Sequence, residues 1–189
     1  MGRNLLIVGA GVYGLVAQEI AESMGCFQLI SFVDDCTKET PNGIAVVGTV
    51  ADLPKLAKSY NEAVVAIGNS KVRERLLDQL KQLDFQIATL ISPRAYVSST
   101  AHIEHGCVVE PMAVLHTGVL AECGSIVSAG AVVNHCSRLG KCSHIDCNAT
   151  VAGYMNVPAY TKVASGSVFL GECMNASELF DVIKFKNIK

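Results

Sequence analysis

Two histidines and three cysteines lie within one short segment, VVNHCSRLGKCSHIDCN, which covers residues 132–148. Imidazole nitrogens and thiolates are the ligands that zinc prefers, so this composition suggests a metal site. A histidine also titrates near neutral pH and can act as a general base, and a cysteine beside it can act as a nucleophile. The backbone that carries the segment has to decide between these chemistries.

A glycine-rich loop near the N-terminus is the second candidate site. The apolar run 4–9 leads into the sequence GAGVYG, and a helical pattern covers residues 11–25. A G-x-G-x-x-G loop between a strand and a helix brings backbone N–H groups close to a phosphate. Asp34 and Asp35 end the next apolar run, where an acidic side chain can bind a ribose hydroxyl. An NAD-binding domain and a loop that serves packing alone are the alternatives, although a dinucleotide fold usually needs more than about 90 residues.

The chain as a whole has the composition of a globular protein. Half of its 189 residues are hydrophobic, 17% are charged, and the formal net charge of -2 gives no electrostatic attraction to nucleic acid or to an anionic membrane. No apolar run is long enough to cross a bilayer, and the N-terminus has no signal-peptide pattern. We therefore expect a cytoplasmic protein whose 8 cysteines are free thiols.

Residues 1–90 alternate strand-like and helix-like segments. After the strand 4–9 and the helix 11–25, an apolar run over 29–35 predicts a second strand. Alternation of this kind predicts a parallel sheet with helical crossovers, that is, an α/β domain built from a Rossmann-like βαβ unit. The remaining predicted elements are strands over 43–48, 63–68 and 85–91 and helices over 51–60 and 70–84.

From residue 91 the hydrophobic period changes to six. Every sixth position from Ile91 to Phe169 is apolar, and about one random sequence in 10⁴ would show such a run. Four residues after each hit, the side chain is mostly small. Neither a helix nor a half-buried strand has a period of six, whereas a parallel β-helix does. We expect a β-helix over 91–170, with the apolar residues on its axis, and a capping tail over 171–189.

The six-residue register separates the cysteines of segment 132–148. Val133, Leu139 and Ile145 are axial positions of three successive hexads, which places them on three faces of the prism. Side chains on different faces lie on the order of 10 Å apart, whereas zinc ligands stand about 2.0–2.3 Å from the metal. A zinc site within one chain is therefore not expected, and we predict no metal.

The two halves together resemble the bacterial nucleotide-sugar N-acetyltransferases, relatives of the sialic acid O-acetyltransferases, which have a left-handed β-helix of hexapeptide repeats. The similar segments are IVGAGVYGLVAQEIA, FVDD, VAIGNSKVRERL, LISPRAYVSSTAHI and VVNHCSRLGKCSH. The resemblance implies a homotrimer that transfers an acetyl group from acetyl-CoA to the amino group of a UDP-linked sugar. It also implies that the N-terminal domain holds the nucleotide and that acetyl-CoA lies along the β-helix between neighbouring subunits.

The same resemblance assigns roles to individual residues. His135 matches the general base of the family, which takes a proton from the sugar amine as that amine attacks the thioester. The residues that it assigns to acetyl-CoA binding are His144, Gly153 and Ser165. Those that it assigns to the nucleotide sugar are Gly11, Val12, Tyr13, Asp34, Asp35, Gly68 and Asn69.

Two departures from the family leave other functions open. Cys136 stands where relatives have a carboxylate beside the base, and a thiol orients a histidine only weakly. Relatives also continue their β-helix further, whereas about four coils are expected here. The alternatives are O-acetylation of a sugar hydroxyl, as in sialic acid, and a trimeric nucleotide-sugar-binding protein without catalysis. Cys136 as an acyl-carrying nucleophile is a further alternative.

Overall fold

The computed structural model describes residues 3–171, 173 and 175, which belong to two compact units, Met1–Ile91 and Ser92–Lys189. Most of the predicted capping tail, 171–189, lies outside the described residues. Among the residues that are described, no helix has both the length and the apolar character that crossing a bilayer requires.

The first unit is built on a parallel sheet of five strands in the order β3-β2-β1-β4-β5. Its helices lie in the connections: α1 between β1 and β2, α2 between β3 and β4, and α3 between β4 and β5. The strands are β1 (Asn4–Val8), β2 (Leu29–Val33), β3 (Val46–Gly48), β4 (Glu62–Val65) and β5 (Gln86–Ile87); the helices are α1 (Val12–Met24), α2 (Leu53–Leu56), which follows a 3-10 turn at Val50–Asp52, and α3 (Ser70–Gln82).

The two central strands of this sheet are apolar along almost their whole length. Residues 5–8 of β1 and all four residues of β4 are buried, as expected for parallel strands that are covered on both faces. The chain leaves β1 toward β2 on one side and returns to β4 on the other. In open parallel sheets the crevice at such a reversal, beyond the carboxyl ends of the strands, is where ligands bind.

The predicted strand over 85–91 is wrong as a single element. The structure has two short strands there, Gln86–Ile87 and Leu90–Ile91, and only the first belongs to the five-stranded sheet. The physical reason is that Ile91 already belongs to the six-residue pattern. The chain therefore ends its pairing in the sheet before the apolar run ends.

The second unit is a parallel β-helix of two-residue strands, one in every six residues. Strands eighteen residues apart are paired, as Leu115 is with Val133, so one coil contains three hexads. The first face consists of Tyr96–Val97, Val114–Leu115, Val132–Val133, Thr150–Val151 and Val168–Phe169. The second face consists of His102–Ile103, Leu120–Ala121, Arg138–Leu139 and Asn156–Val157, and the third includes Val108–Val109, Ile126–Val127, His144–Ile145 and Lys162–Val163.

The predicted axial positions are the second residues of these strands. From Val109 to Val163 every one of them is buried, and only those near the two ends of the β-helix are partly exposed. The small residues four positions further on are buried too: Ala113, Ala131 and Ser137, for example, have 0% of their surface exposed. The six-residue pattern therefore corresponds to two interior positions in each hexad.

From residue 106 to residue 166, the turns of the β-helix have a left-handed residue at every sixth position. Glycine adopts this conformation without strain, and asparagine tolerates it. The residues with positive φ in this series are Gly106, Met112, Gly118, Gly124, Gly130, Cys136, Cys142, Asn148, Tyr154, Tyr160 and Gly166. Cys136 and Cys142 are thus equivalent turn residues of successive hexads, which is why their spacing is six.

We expect Leu115→Ala to destabilise the β-helix by about 2–5 kcal/mol, because it leaves a cavity on a fully buried axis. Leu115 has 0% of its surface exposed, whereas Val168, on the same face, has 61% exposed. Val168→Ala is therefore the control, with an expected change below about 0.5 kcal/mol. Urea unfolding followed by circular dichroism measures both, and equal losses would contradict an axial core.

Candidate functional site

The glycine loop between β1 and α1 is closely packed at two of its glycines and open at the third. Gly9 has a φ of +115°, and a Cβ on Gly14 would clash with the carbonyl of Gly9. Gly11 caps α1 with an ordinary φ of -78°, and a Cβ there would meet nothing within 4 Å. Next to it, Val12 is 72% exposed. The first turn of α1 therefore faces open space.

The side chain of Asp34 holds this loop in place. Its Oδ2 accepts a hydrogen bond from the backbone N–H of Ala10 at 2.8 Å, and its Oδ1 accepts from Cys36 at 2.7 Å and from Thr37 at 3.2 Å. Burial alone would raise the pKa of Asp34, but these three bonds outweigh it and hold the pKa below the ordinary carboxyl value. A carboxylate has about four acceptor sites, so Asp34 can also receive one ligand hydroxyl.

The other predicted nucleotide residues also shape the loops at the carboxyl ends of the strands. Asp35 accepts the N–H of Val50 at 2.8 Å, and the side chain of Asn69 caps α3 by accepting two backbone N–H groups at 3.1 Å. Gly68 is exposed, and a Cβ there would meet nothing within 4 Å. Tyr13 is half-buried in the first turn of α1. Because β1 and β4 are neighbours, Gly68 and Asn69 follow the strand next to the glycine loop.

The loop after β4 is supported from inside by a buried arginine. Arg73 has 0% of its surface exposed, and its guanidinium donates to the carbonyls of Ile67 and Gly68 at 2.7 and 3.0 Å. The sequence pattern predicted only that Arg73 belongs to an amphipathic helix over 70–84. Only the position of α3 against the sheet brings it beneath the loop.

His135 lies exposed in a turn of the β-helix, where three residues fix its ring. Its Nδ1 lies 2.7 Å from Oδ1 of Asn134, and its ring packs edge-on against Tyr154 with the centroids 4.9 Å apart. A Cβ on Gly153 would come within 3.0 Å of its Nε2 and Cε1. We call Asn134, His135, Gly153 and Tyr154 the base turn.

His144 belongs to a separate polar cluster on the third face, which we call the His144 group. It consists of Ser128, His144, Asp146 and Lys162. Nε2 of His144 lies 3.0 Å from the hydroxyl of Ser128 and 3.9 Å from Asp146, which accepts from Lys162 at 2.8 Å. That bond lowers the pKa of Asp146, although burial opposes it.

The predicted acetyl-CoA residues thus fall into different parts of the β-helix. Gly153 lies against His135, because the two occupy equivalent positions in turns eighteen residues apart. Ser165 is exposed in another turn, where its hydroxyl donates to the carbonyl of Cys147 at 2.9 Å. His144 is the first residue of a strand on the third face.

The cysteines near His135 do not converge on one point. Cys142 is fully buried, and burial, followed by the charges of Glu110 and Asp146, raises the pKa of the Cys147 thiol. Cys136 has its sulfur toward Gly118, where a Cβ would lie 3.3 Å from it. In the part of the chain that the structure describes, no three His, Cys, Asp or Glu side chains form a group that could hold a metal ion.

Sequence reasoning missed Asn134, Tyr154, Ser128 and Lys162. Their signal is the eighteen-residue spacing: Tyr154 is one such step plus one residue from His135, and Lys162 is one step from His144. Counting in steps of eighteen residues would have placed Tyr154 and Lys162 beside the two histidines. Asn134 needed only its adjacency to His135 to be considered.

Comparisons with known proteins relate both units to sugar N-acetyltransferases. The family model described as the PglD N-terminal domain matches residues 4–80. Two curated relatives are each 30% identical: GDP-perosamine N-acetyltransferase of Escherichia coli O157:H7 over 119 residues, and UDP-N-acetylbacillosamine N-acetyltransferase of Bacillus subtilis strain 168 over 110 residues. These matches cover 59% and 57% of this chain, and the chain spans only about half of each relative, 52% and 51%.

Solved structures are similar over almost the whole chain. The acetyltransferase domain of PglB from Neisseria gonorrhoeae FA1090 is 27% identical, with a TM-score of 0.74 over 92% of this chain and 94% of that one. The structure of the same domain in complex with acetyl coenzyme A gives a TM-score of 0.68 at 26% identity, over 90% of this chain and 92% of that one. The combination of a parallel β-helix with this N-terminal domain is therefore shared with acetyltransferase domains.

We expect Asp34→Ala to destabilise the first unit by about 1–3 kcal/mol at neutral pH, because three backbone donors lose a charged acceptor. The folded pKa of Asp34 is lowered, so its contribution is present above the unfolded pKa and is lost as the pH falls through the folded pKa. The difference from the unsubstituted protein should therefore shrink in acid, as measured by urea unfolding across a pH series. Asp34→Asn is the control, and a pH-independent difference for the Ala variant would refute this role.

Proposed function

We propose that this chain, which is a relative of the sugar N-acetyltransferases and whose residues 4–80 match the PglD N-terminal domain, transfers an acetyl group from acetyl-CoA to the amino group of a nucleotide-linked sugar. The observation that carries this proposal is the base turn. There, one exposed imidazole is held at Nδ1 by Asn134, so that its Nε2 is left for an incoming amine.

The reaction is direct attack of the amine on the thioester. The amine nitrogen forms a bond with the carbonyl carbon of acetyl-CoA, and Nε2 of His135 takes the proton that this nitrogen releases. The bond from carbon to sulfur then breaks, and the CoA thiolate leaves and takes up a proton. The products are the acetamido sugar and free CoA, and no covalent enzyme intermediate is needed.

Cys136 is a poor alternative to this direct route. Its left-handed backbone, with a φ of 53°, turns it away from the strand surface, and its sulfur lies against Gly118. Among the described residues, no hydrogen bond joins its sulfur to the ring of His135. A cysteine nucleophile needs a base within hydrogen-bond reach. We therefore assign Cys136 to the turn rather than to the chemistry.

The β-helix provides the acetyl-donor side of this proposal. Gly153 packs so closely against the ring of His135 that a Cβ there would clash with it, and His144 and the exposed Ser165 are the further acetyl-CoA residues of the proposal. Because these residues lie in different turns and faces, we propose that a second and third copy of the chain complete each site, as a cyclic trimer. Because the proposed donor is acetyl-CoA, we also propose a cytoplasmic location.

The first unit provides the nucleotide side. Gly11, Val12 and Gly68 are exposed beyond the carboxyl ends of β1 and β4, and Asp34 keeps an acceptor site for a hydroxyl. We propose a UDP-linked amino sugar, with Tyr13, Asp35 and Asn69 completing the site. The named substrates of the two curated relatives carry GDP in one case and UDP in the other. A direct comparison of UDP- and GDP-linked amino sugars decides between the two nucleotides.

We expect His135→Ala to lower kcat for CoA release by about 10²–10⁴-fold, the usual contribution of a general base. The assay measures free thiol from acetyl-CoA in the presence of UDP- and GDP-linked amino sugars, with a hydroxyl sugar as comparison. His116→Ala is the control, because His116 lies on the same β-helix outside the base turn and packs against Tyr96. Unchanged turnover in the His135 variant, or no CoA release with any amino sugar, would sink the proposal.

We expect Gly11→Leu to raise KM for the nucleotide sugar at least tenfold while the first unit stays folded. The backbone at Gly11 is not left-handed and a Cβ there meets nothing, so the larger side chain has room in the free protein but occupies the space in front of α1. The KM for acetyl-CoA should not change, and it serves as the internal control. Equal KM values for the nucleotide sugar in both proteins would remove the glycine loop from the site.

A further inference from the structure

We infer that Asn134 is the positioning residue for His135, in the place of the carboxylate that Cys136 does not provide. The inference rests on the proposed function, because it concerns the same base. Oδ1 of Asn134 lies 2.8 Å from the backbone N of His135 and 2.7 Å from its Nδ1. One amide oxygen therefore contacts both the main chain and the ring of the neighbouring residue.

These two contacts determine which nitrogen of the ring carries the proton. A backbone N–H can only donate, so the atom of Asn134 that faces it must be the carbonyl oxygen and not the amide nitrogen. An oxygen of an amide only accepts, so Nδ1 of His135 must donate to it. In the neutral ring the lone pair is then on Nε2, which is the nitrogen that can accept a proton from a substrate.

Two residues of the following coil pack against the ring. Gly153 is the residue one coil further on, and a Cβ there would come within 3.0 Å of Nε2. Tyr154 packs edge-on against the ring at an angle of 89°, and its backbone N–H donates to the carbonyl of His135 at 3.0 Å. The ring is therefore held at Nδ1 by Asn134 and packed by Tyr154 and Gly153, and among the described residues no hydrogen bond occupies Nε2 of this exposed side chain.

Asn134 differs from the glutamates at the equivalent position of three other hexads, whereas Asp146, also at that position, likewise accepts the backbone N–H of the residue after it, Cys147, at 2.8 Å. In three hexads, the residue directly after the axial position is a glutamate, and its carboxylate accepts a turn N–H of the following coil. The pairs are Glu104 with Cys123 at 2.8 Å, Glu110 with Ala129 at 3.0 Å and Glu122 with Lys141 at 2.9 Å. The oxygen of Asn134 instead contacts the backbone N–H and the imidazole of His135.

A neutral amide and a carboxylate should affect the base differently. Both accept from Nδ1 and select the same tautomer. Only a carboxylate also stabilises the imidazolium that forms when Nε2 takes up a proton. The structure thus assigns to this chain a base that is oriented without the help of a negative charge.

The first test measures the tautomer of His135 and does not depend on activity. Protein labelled with ¹⁵N-histidine reports the protonation of Nδ1 and Nε2 through their chemical shifts, and the spectrum of His135→Gln identifies the signals. We expect a proton on Nδ1 in the unsubstituted protein and in Asn134→Asp. In Asn134→Leu it should move mainly to Nε2, the preferred site of an imidazole without a partner. A ring already protonated at Nε2 in the unsubstituted protein, or unchanged by Asn134→Leu, would overturn the inference.

The second test compares turnover in the same variants. We expect Asn134→Leu to lower kcat about tenfold to a hundredfold with an unchanged KM for acetyl-CoA. Asn134→Asp should keep the activity, and the acid limb of its pH–rate profile should move to higher pH, because the added carboxylate favours the protonated ring. If Asn134→Leu changed only KM and left kcat unchanged, or if the acid limb of Asn134→Asp did not shift, a positioning role would be contradicted.

The control has to separate loss of orientation from loss of a turn contact. Thr100 accepts the backbone N–H of Gly118 at 3.1 Å through its hydroxyl, in a neighbouring turn on the same edge of the β-helix. Thr100→Val removes that acceptor without touching His135, so activity should stay within about twofold of the unsubstituted protein. An equal loss in this variant would mean that any weakened turn lowers the rate. If Asn134→Leu changes the tautomer and no variant shows turnover, the positioning role stands and the proposed activity fails.

Discussion

The eighteen-residue register of the β-helix is the constraint on which the rest of the second unit depends. Each two-residue strand pairs with the strands eighteen residues before and after it, so side chains form columns along the prism. Along this register an apolar residue lies on the axis of every hexad, and a left-handed residue lies in each turn from residue 106 to residue 166. It also decides which residues meet: Gly153 lies against His135 because it is the next residue in the same column. The arrangement of the base turn therefore follows from the same repeat that the fold requires.

The turns illustrate how structural and functional needs share the same positions. A turn N–H that is partly buried needs an acceptor, and in several hexads the residue directly after the axial position supplies it. Where that residue is a long glutamate, such as Glu110 or Glu122, the acceptor reaches the following coil and stabilises the stack. Where it is Asn134, the acceptor satisfies its own turn and orients an imidazole. The candidate base therefore depends on two neighbouring residues of one turn, the histidine and the asparagine before it.

In the first unit, Asp34 likewise combines a structural contact with a proposed ligand contact. A carboxylate at the end of β2 is expected to meet a ribose, yet here three backbone N–H groups of two loops already bind it. This structural role is compatible with the proposed contact to a ribose hydroxyl, because a carboxylate accepts more than three hydrogen bonds. Arg73 supports the neighbouring loop in a comparable way, through a buried guanidinium. Both loops at the carboxyl ends of the central strands are therefore shaped in advance of any ligand.

The sequence alone determined the kind of backbone in each half and the candidate histidine. Its period of six predicted the parallel β-helix, and its alternating segments predicted the parallel sheet, because burial of apolar residues follows the period of the backbone. It could not identify what orients His135: the residue after it, Cys136, attracted attention, whereas the contact is made by the residue before it. That outcome depends on a left-handed turn at Cys136, which directs its sulfur to Gly118, and on the amide of Asn134, which contacts the ring of His135 instead. The separation of His144 from the base turn, in contrast, follows from the six-residue register, because each hexad changes the face of the prism. Periodicity records which residues are buried, while hydrogen-bond partners depend on side-chain length and direction, and these are fixed only when the coils stack.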